Sequence, residues 1–119
     1  MKIYCDSSTK EACYVIEGQK PVIVTYSKPV TNNVGEYQAV VIALVEAQRL
    51  KTTGIELLTD SEFVVNQVRG YDKFGHTWER CLPHLLPYRD KVRELLANSY
   101  WIELKWIPRG ENLAGKVLG

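Results

Sequence analysis

Apolar and polar residues alternate with a period of two through the start of the chain, then switch to a helical period. Residues 2–7 are a short, mostly apolar strand-like run that ends in Asp6-Ser7. Residues 11–17 predict a second strand. Gly18-Gln19 is a tight turn into a third strand over 21–27, where Val22, Val24 and Tyr26 alternate with Ile23, Thr25 and Ser27. Strands joined by such short turns pair antiparallel. From Val34 to Leu50 the residues Glu36, Val40, Ala43, Leu44 and Ala47 share one helical face. Asn33 is the candidate N-cap, with Glu36 at capping-box spacing, and Thr52-Thr53-Gly54 ends the helix. Residues 55–59 predict a fourth strand. A helix then starts at Thr59-Asp60-Ser61-Glu62, runs to about Val68 and stops at Gly70. Residues 71–83 read as irregular, with Gly75 and Pro83 as breakers. A third helix covers 87–97 with Val92, Leu95 and Leu96 as its apolar stripe. Residues 100–107 make a fifth strand, with Ile102, Leu104 and Trp106 facing one way. Pro108-Arg109-Gly110 turns the chain into a last helix beginning at Glu111.

Hairpins followed by strand–helix–strand crossovers predict an α/β fold: a five-stranded mixed sheet, its first three strands antiparallel, flanked by helices. Sites in such open sheets lie beyond the carboxyl ends of the parallel strands. Asp60 stands at such an end, Asp6 closes a strand predicted to neighbour it, and Glu36 lies on the helix packed against them. Three acids that converge repel one another, and such groups serve a metal ion or a proton transfer. Each also has a plainer reading: Asp60 as a helix-start residue, Glu36 as a first-turn acid suiting the helix dipole, Asp6 as a turn former. It is their occurrence together, with Asn32-Asn33 between two of them, that favours a site.

The 119 residues suit one domain over 1–119. A net charge of +1 and a pI of about 7.7 leave any nucleic-acid argument to local features. Residues 69–93 carry six Lys/Arg against three Asp/Glu, a local basic excess. There Tyr71, Phe74 and Trp78 interleave with Arg69, Lys73 and Arg80, a pattern shared by strand-binding grooves and by ordinary core packing. Trp101 and Trp106 fall on opposite faces of one strand, so one of them belongs to the core. His76 and His84 have no partner at zinc spacing. Cys5, Cys13 and Cys81 form no C-x-x-C pair, and Cys5 and Cys13 read as buried thiols. An odd count favours a reducing compartment, so cytoplasmic residence is expected. No apolar run approaches the length of about 20 residues that spans a bilayer, no targeting segment is visible, and no membrane partner is expected.

Four segments, in order, resemble type 1 ribonuclease H. They are Tyr4-Cys5-Asp6-Ser7-Ser8, Thr31-Asn32-Asn33-Val34-Gly35-Glu36-Tyr37, Leu58-Thr59-Asp60-Ser61 and Trp106-Ile107-Pro108-Arg109-Gly110-Glu111-Asn112. The resemblance covers essentially the whole chain and is nearest to the short archaeal and bacterial form. It implies an endonuclease that cuts the RNA strand of an RNA/DNA hybrid with Mg²⁺ or Mn²⁺; separately, a monomer is expected. Asp6, Glu36 and Asp60 would be metal ligands and catalytic groups. Arg109 matches a mobile basic residue that assists proton transfer or product release. Thr31, Asn32 and Asn33, with Ser7 and Ser61, would grip the hybrid, whose 2′-hydroxyls are displayed in a wide minor groove.

Two departures from the pattern matter. The first acid is usually followed by Gly-Ser, and here by Ser7-Ser8. The fourth acid of the family falls seven positions after the residue matching Arg109, and that position is Lys116. Charges about 4 Å apart at an effective dielectric of about 20 interact by about 4 kcal/mol, so an ammonium and a divalent ion exclude each other from one corner. Three outcomes follow: Lys116 turns to solvent, its ammonium replaces the charge of one metal, or the domain binds hybrids without cutting them. Reduced cleavage is the leading expectation, and a catalytically impaired hybrid-binding module is the alternative. The last helix has only begun at Gly119, so the chain reads as a truncated or unusually short version.

Overall fold

Lys2–Ser7 (β1) is the middle strand of the sheet, and the other strands are arranged around it. On one side it pairs antiparallel with Glu11–Ile16 (β2), which pairs antiparallel with Val22–Thr25 (β3). On its other side it pairs parallel with Ile55–Thr59 (β4), and β4 pairs parallel with Ile102–Trp106 (β5). The five-stranded mixed sheet therefore has the order β3-β2-β1-β4-β5, as the hairpin and crossover pattern predicts. This computed structural model describes residues 1–78 and 80–119; Glu79, counted in the local charge above, lies outside the described residues.

Alternation along β1 assigns each side chain to a face. Ile3 and Cys5 are fully buried beneath the long helix Asn32–Leu50 (α1). Tyr4 and Asp6 lie opposite Val15 and Cys13, on the face where Ala114 and Leu118 of the last helix (α4, Leu113–Leu118) pack. β4 is buried on both faces and reads as a nearly continuous apolar run, the signature of a central parallel strand. The pairing Cys5↔Thr59 brings the carboxyl ends of β1 and β4 level, so Asp6 and Asp60 emerge side by side.

Several boundaries differ from the sequence pattern, each for a local reason. Helix α1 begins two residues earlier than the apolar period, because Thr31, not Asn33, is the N-cap. Its backbone is extended (φ −68°, ψ 160°), and its Oγ1 accepts a hydrogen bond from the Val34 N–H at 3.3 Å. Asn32 and Asn33 thus belong to the first turn. The second helix, Glu62–Arg69 (α2), is capped by Ser61 rather than Thr59. Ser61 Oγ accepts from Val64 N–H, while Thr59 Oγ1 accepts from Ser61 N–H. Gly70 closes α2 in the left-handed region (φ 85°).

Strand β3 is shorter than the alternation suggests. Beyond Thr25 the chain leaves the ladder, and Tyr26 N–H donates to Lys10 O. All four β3 residues are exposed, as befits a short edge strand. The irregular stretch carries one antiparallel bridge, Tyr71↔Thr77, and a 3-10 turn, Pro83–Leu85, that leads into Leu86–Ala97 (α3). On β5, Ile102 and Leu104 are buried, but Trp106 is 41% exposed and does not join their face in the core. Its indole Nε1–H instead donates to Asp60 O at 3.2 Å, and Trp101 is the tryptophan that packs on the core. The last helix is preceded by a 3-10 turn, Arg109–Glu111, so it starts later than Glu111. Among the described residues no helix is long and apolar enough to cross a membrane.

One contact holds the start of α1 against the end of β1. A Cβ on Gly35 would meet Ser7 Oγ at 2.5 Å and Ser8 O at 3.0 Å, so only glycine permits this approach. Gly35→Ala is expected to destabilise the domain by about 1–3 kcal/mol. Combining it with Ser7→Gly should recover most of that loss, as read by denaturant unfolding.

Candidate active site

Asp6 is delivered by the end of β1, Asp60 by the residue after β4, and Glu36 by the second turn of α1. One carboxylate oxygen from each lies within 4.8 Å of the others. The three line a cleft of about 420 Å³ with Ser7, Asn32, Asn33, Ser61 and Arg109. Of the residues singled out in the sequence, Thr31 and Lys116 are not among those lining it. The Thr31 hydroxyl is occupied as the helix cap.

The site is short of positive charge. Burial pushes Glu36 up to about 8, the negative charges of Asp6 and Asp60 add to this, and Arg109 partly offsets it. Asp6 is raised first by burial and then by Asp60, against the opposing pull of the Ser7 backbone N–H and Arg109. Arg109 is thus the cation these two acids feel. An uncompensated set of hard oxygen donors fits a magnesium- or manganese-type ion better than a softer metal.

The raised acids set a pH dependence for the metal-free protein. Between about pH 4.5 and 8 the unfolded chain loses the Glu36 proton while the folded chain keeps it. Unfolding then releases a proton, and stability falls as pH rises through this window. A shift of this size corresponds to a loss of up to about 5 kcal/mol across it. Urea unfolding in a chelator should show this decline, and added Mg²⁺ or Mn²⁺ should flatten it.

Two residues that sequence reasoning did not place in the site support it from behind. Asn112, named in the sequence only as the last residue of the fourth resembling segment, is fully buried. Its Nδ2 donates to Cys5 O at 2.9 Å and to Asp60 Oδ2 at 3.1 Å, while its Oδ1 accepts from Ala114 N–H. It caps α4 and orients Asp60 with one side chain. Its place just ahead of the last helix was the available signal. Tyr26, read only as a strand residue, sits with its hydroxyl 2.8 Å from Ser7 Oγ. The Ser7 hydroxyl also donates to Ser8 O at 2.6 Å, so it is engaged within the protein.

Helix α4 brings no carboxylate to the acids. Lys116 is exposed, the solvent-facing outcome of the three weighed above. Its neighbour Gly115 is the closer residue: a Cβ there would stand 3.1 Å from Asp6 Oδ2 and 3.7 Å from Asp60 Oδ2.

A mixed sheet with three acids gathered at the carboxyl ends of two adjoining parallel strands defines an α/β domain with an acidic, cation-seeking cleft. A family profile for RNase H matches residues 1–115, and the chain belongs to the RNase H family. It is 34% identical over 82 residues to a bifunctional protein of Mycobacterium tuberculosis and to an uncharacterized protein of Mycobacterium bovis, spans covering 69% of this chain. The chain matches only 21% of the length of these curated relatives. Among solved structures, RNase H1 of the halophilic archaeon Halobacterium salinarum is similar over 98% of this chain and 92% of that one, with 26% identity and a TM-score of 0.78. The N-terminal RNase H domain of a Mycobacterium tuberculosis protein, solved as a fusion with maltose binding protein, covers 93% and 84% at 25% identity and a TM-score of 0.73. LC11-RNase H1, solved in complex with an RNA/DNA hybrid, shares the fold over 99% of both chains, at 21% identity and a TM-score of 0.73.

Proposed function

We propose that this domain hydrolyses the RNA strand of RNA/DNA hybrids using divalent cations, at a rate lowered by the missing fourth acid. The observation that carries this reading is the convergence of Asp6, Glu36 and Asp60 in a cleft also lined by Asn32 and Asn33. Asp6, Glu36 and Asp60 would hold the metal. Bound there, Mg²⁺ or Mn²⁺ would supply Lewis-acid activation of water and stabilisation of the leaving 3′ oxygen. Asn32 and Asn33, free of the capping role, line the cleft, and their amides would suit the phosphates and minor-groove hydroxyls of a hybrid. Ser61, at the start of α2, lies on the same rim. Arg109 would attract the substrate phosphate and offset the charge of the acids.

The position of α4 favours one second reading. With Lys116 turned outward and Gly115 beside the acids, the domain would bind hybrids and cut them poorly or not at all. The two readings part in a single assay: hybrid binding by the folded domain with and without release of RNA fragments in Mg²⁺ or Mn²⁺.

A further inference from the structure

We infer that Tyr26 is a positioning residue that sets the spacing between Asp6 and Glu36 by bridging the residues beside them. The inference rests on the reading of Asp6, Glu36 and Asp60 as the metal-holding set. Tyr26 follows the edge strand β3, and its ring packs against the main core. Its backbone is anchored to the β1–β2 turn through Tyr26 N–H to Lys10 O at 2.9 Å. Its hydroxyl lies 2.8 Å from Ser7 Oγ and donates to Gly35 O at 3.3 Å. Ser7 follows Asp6 in sequence, and Gly35 precedes Glu36.

Each hydroxyl carries one proton, and the set of acceptors satisfies both arrangements. When Ser7 donates to Ser8 O, the phenol donates to Ser7; when Ser7 donates to the phenol, the phenol donates to Gly35 O. Only the second arrangement hydrogen-bonds the phenol to both the end of β1 and the first turns of α1; in the first it holds Ser7 alone. The tie matters because these two elements deliver two acids that repel each other. Without it, the repulsion can be relieved by the first turn of α1 moving away from β1. The serine at position 7, where the resembled pattern has glycine, is what gives the phenol its partner.

The test is Tyr26→Phe, which removes one oxygen and leaves the ring. Mg²⁺ and Mn²⁺ affinity, measured by calorimetry on the folded protein without substrate, should weaken about tenfold. The hybrid cleavage kcat should fall by a similar factor, while KM for the hybrid stays within about twofold. Ser7→Ala removes the partner hydroxyl and should weaken metal affinity to a similar degree. The double variant should then lose little more than either single one, because both remove one connection. A Tyr26→Phe protein with metal affinity within about twofold of the parent would overturn the inference, as would fully additive losses. Parent protein that binds neither ion would overturn the metal-site reading as well, which separates the two failures.

Discussion

Replacing Asp6 by asparagine is expected to abolish hybrid cleavage while making the metal-free protein more stable. Burial raises Cys5 and Glu36 first, the charge of Asp6 adds to both as that of Asp60 does, and the carboxyl of Asp6 is itself raised by burial and by Asp60. An amide of the same shape removes that repulsion and keeps the packing. A gain of about 1–2 kcal/mol should follow in chelator at neutral pH. The same change deletes a hard oxygen donor from the trio, and a fall of at least about a thousandfold in kcat is expected. Opposite movements of stability and activity mark a site held together for function. Unfolding curves in EDTA and initial rates in Mg²⁺ measure the two arms. A less stable variant with its rate intact would assign Asp6 to the fold instead.

Lys116→Asp is expected to raise the rate of hybrid cleavage by about tenfold or more. The change supplies the acid that α4 lacks, next in sequence to Gly115, which stands beside Asp6 and Asp60. At about 4 Å and an effective dielectric of about 20, each unit of charge beside a divalent ion counts for several kcal/mol, so even partial approach has a large effect. Gly115→Asp is the instructive contrast. A Cβ at position 115 already stands 3.1 Å from Asp6 Oδ2, so a carboxylate there has no room to lie beside the acids without moving them. It should destabilise the metal-free domain and give no comparable gain. Steady-state rates for both variants, on protein shown to be folded, distinguish these outcomes. No gain from Lys116→Asp would mean that α4 takes no part in the chemistry.

The parts of the fold that were legible in the sequence are those set by period and punctuation. The hairpins, the long helix and the apolar run of β4 follow from alternation, helical spacing and burial on both faces, and they suffice to bring Asp6, Glu36 and Asp60 to one sheet end. What was not legible depended on which of several equivalent polar residues took a given hydrogen bond. Thr31, Asn32 and Asn33 are all competent caps. The extended backbone at Thr31 decided among them, and Asn32 and Asn33 line the cleft. Thr59 and Ser61 competed in the same way at α2.

The supporting residues were hidden for a different reason. Asn112 is 107 residues from Cys5 in sequence, and Tyr26 reaches Ser7 across 19 positions. Such contacts exist only once the sheet order is known. The Lys116 position was read from spacing alone. In the structure Lys116 is exposed, and a Cβ on its neighbour Gly115 would stand 3.1 Å from Asp6 Oδ2. Trp106 illustrates the limit of strand alternation at a strand end, where its indole reached Asp60 O instead of the core.

The central claim is that the three acids make this domain a hybrid-specific nuclease. Its most direct test is to incubate the folded protein with an RNA/DNA hybrid labelled at the RNA 5′ end, in Mg²⁺ and in Mn²⁺. Short RNA fragments ending in a 3′-hydroxyl are expected, with none in EDTA and none from the Asp6→Asn protein, and duplex DNA should stay intact. Intact RNA in both metals, with the hybrid still bound, would contradict the claim and leave a binding module on the same fold.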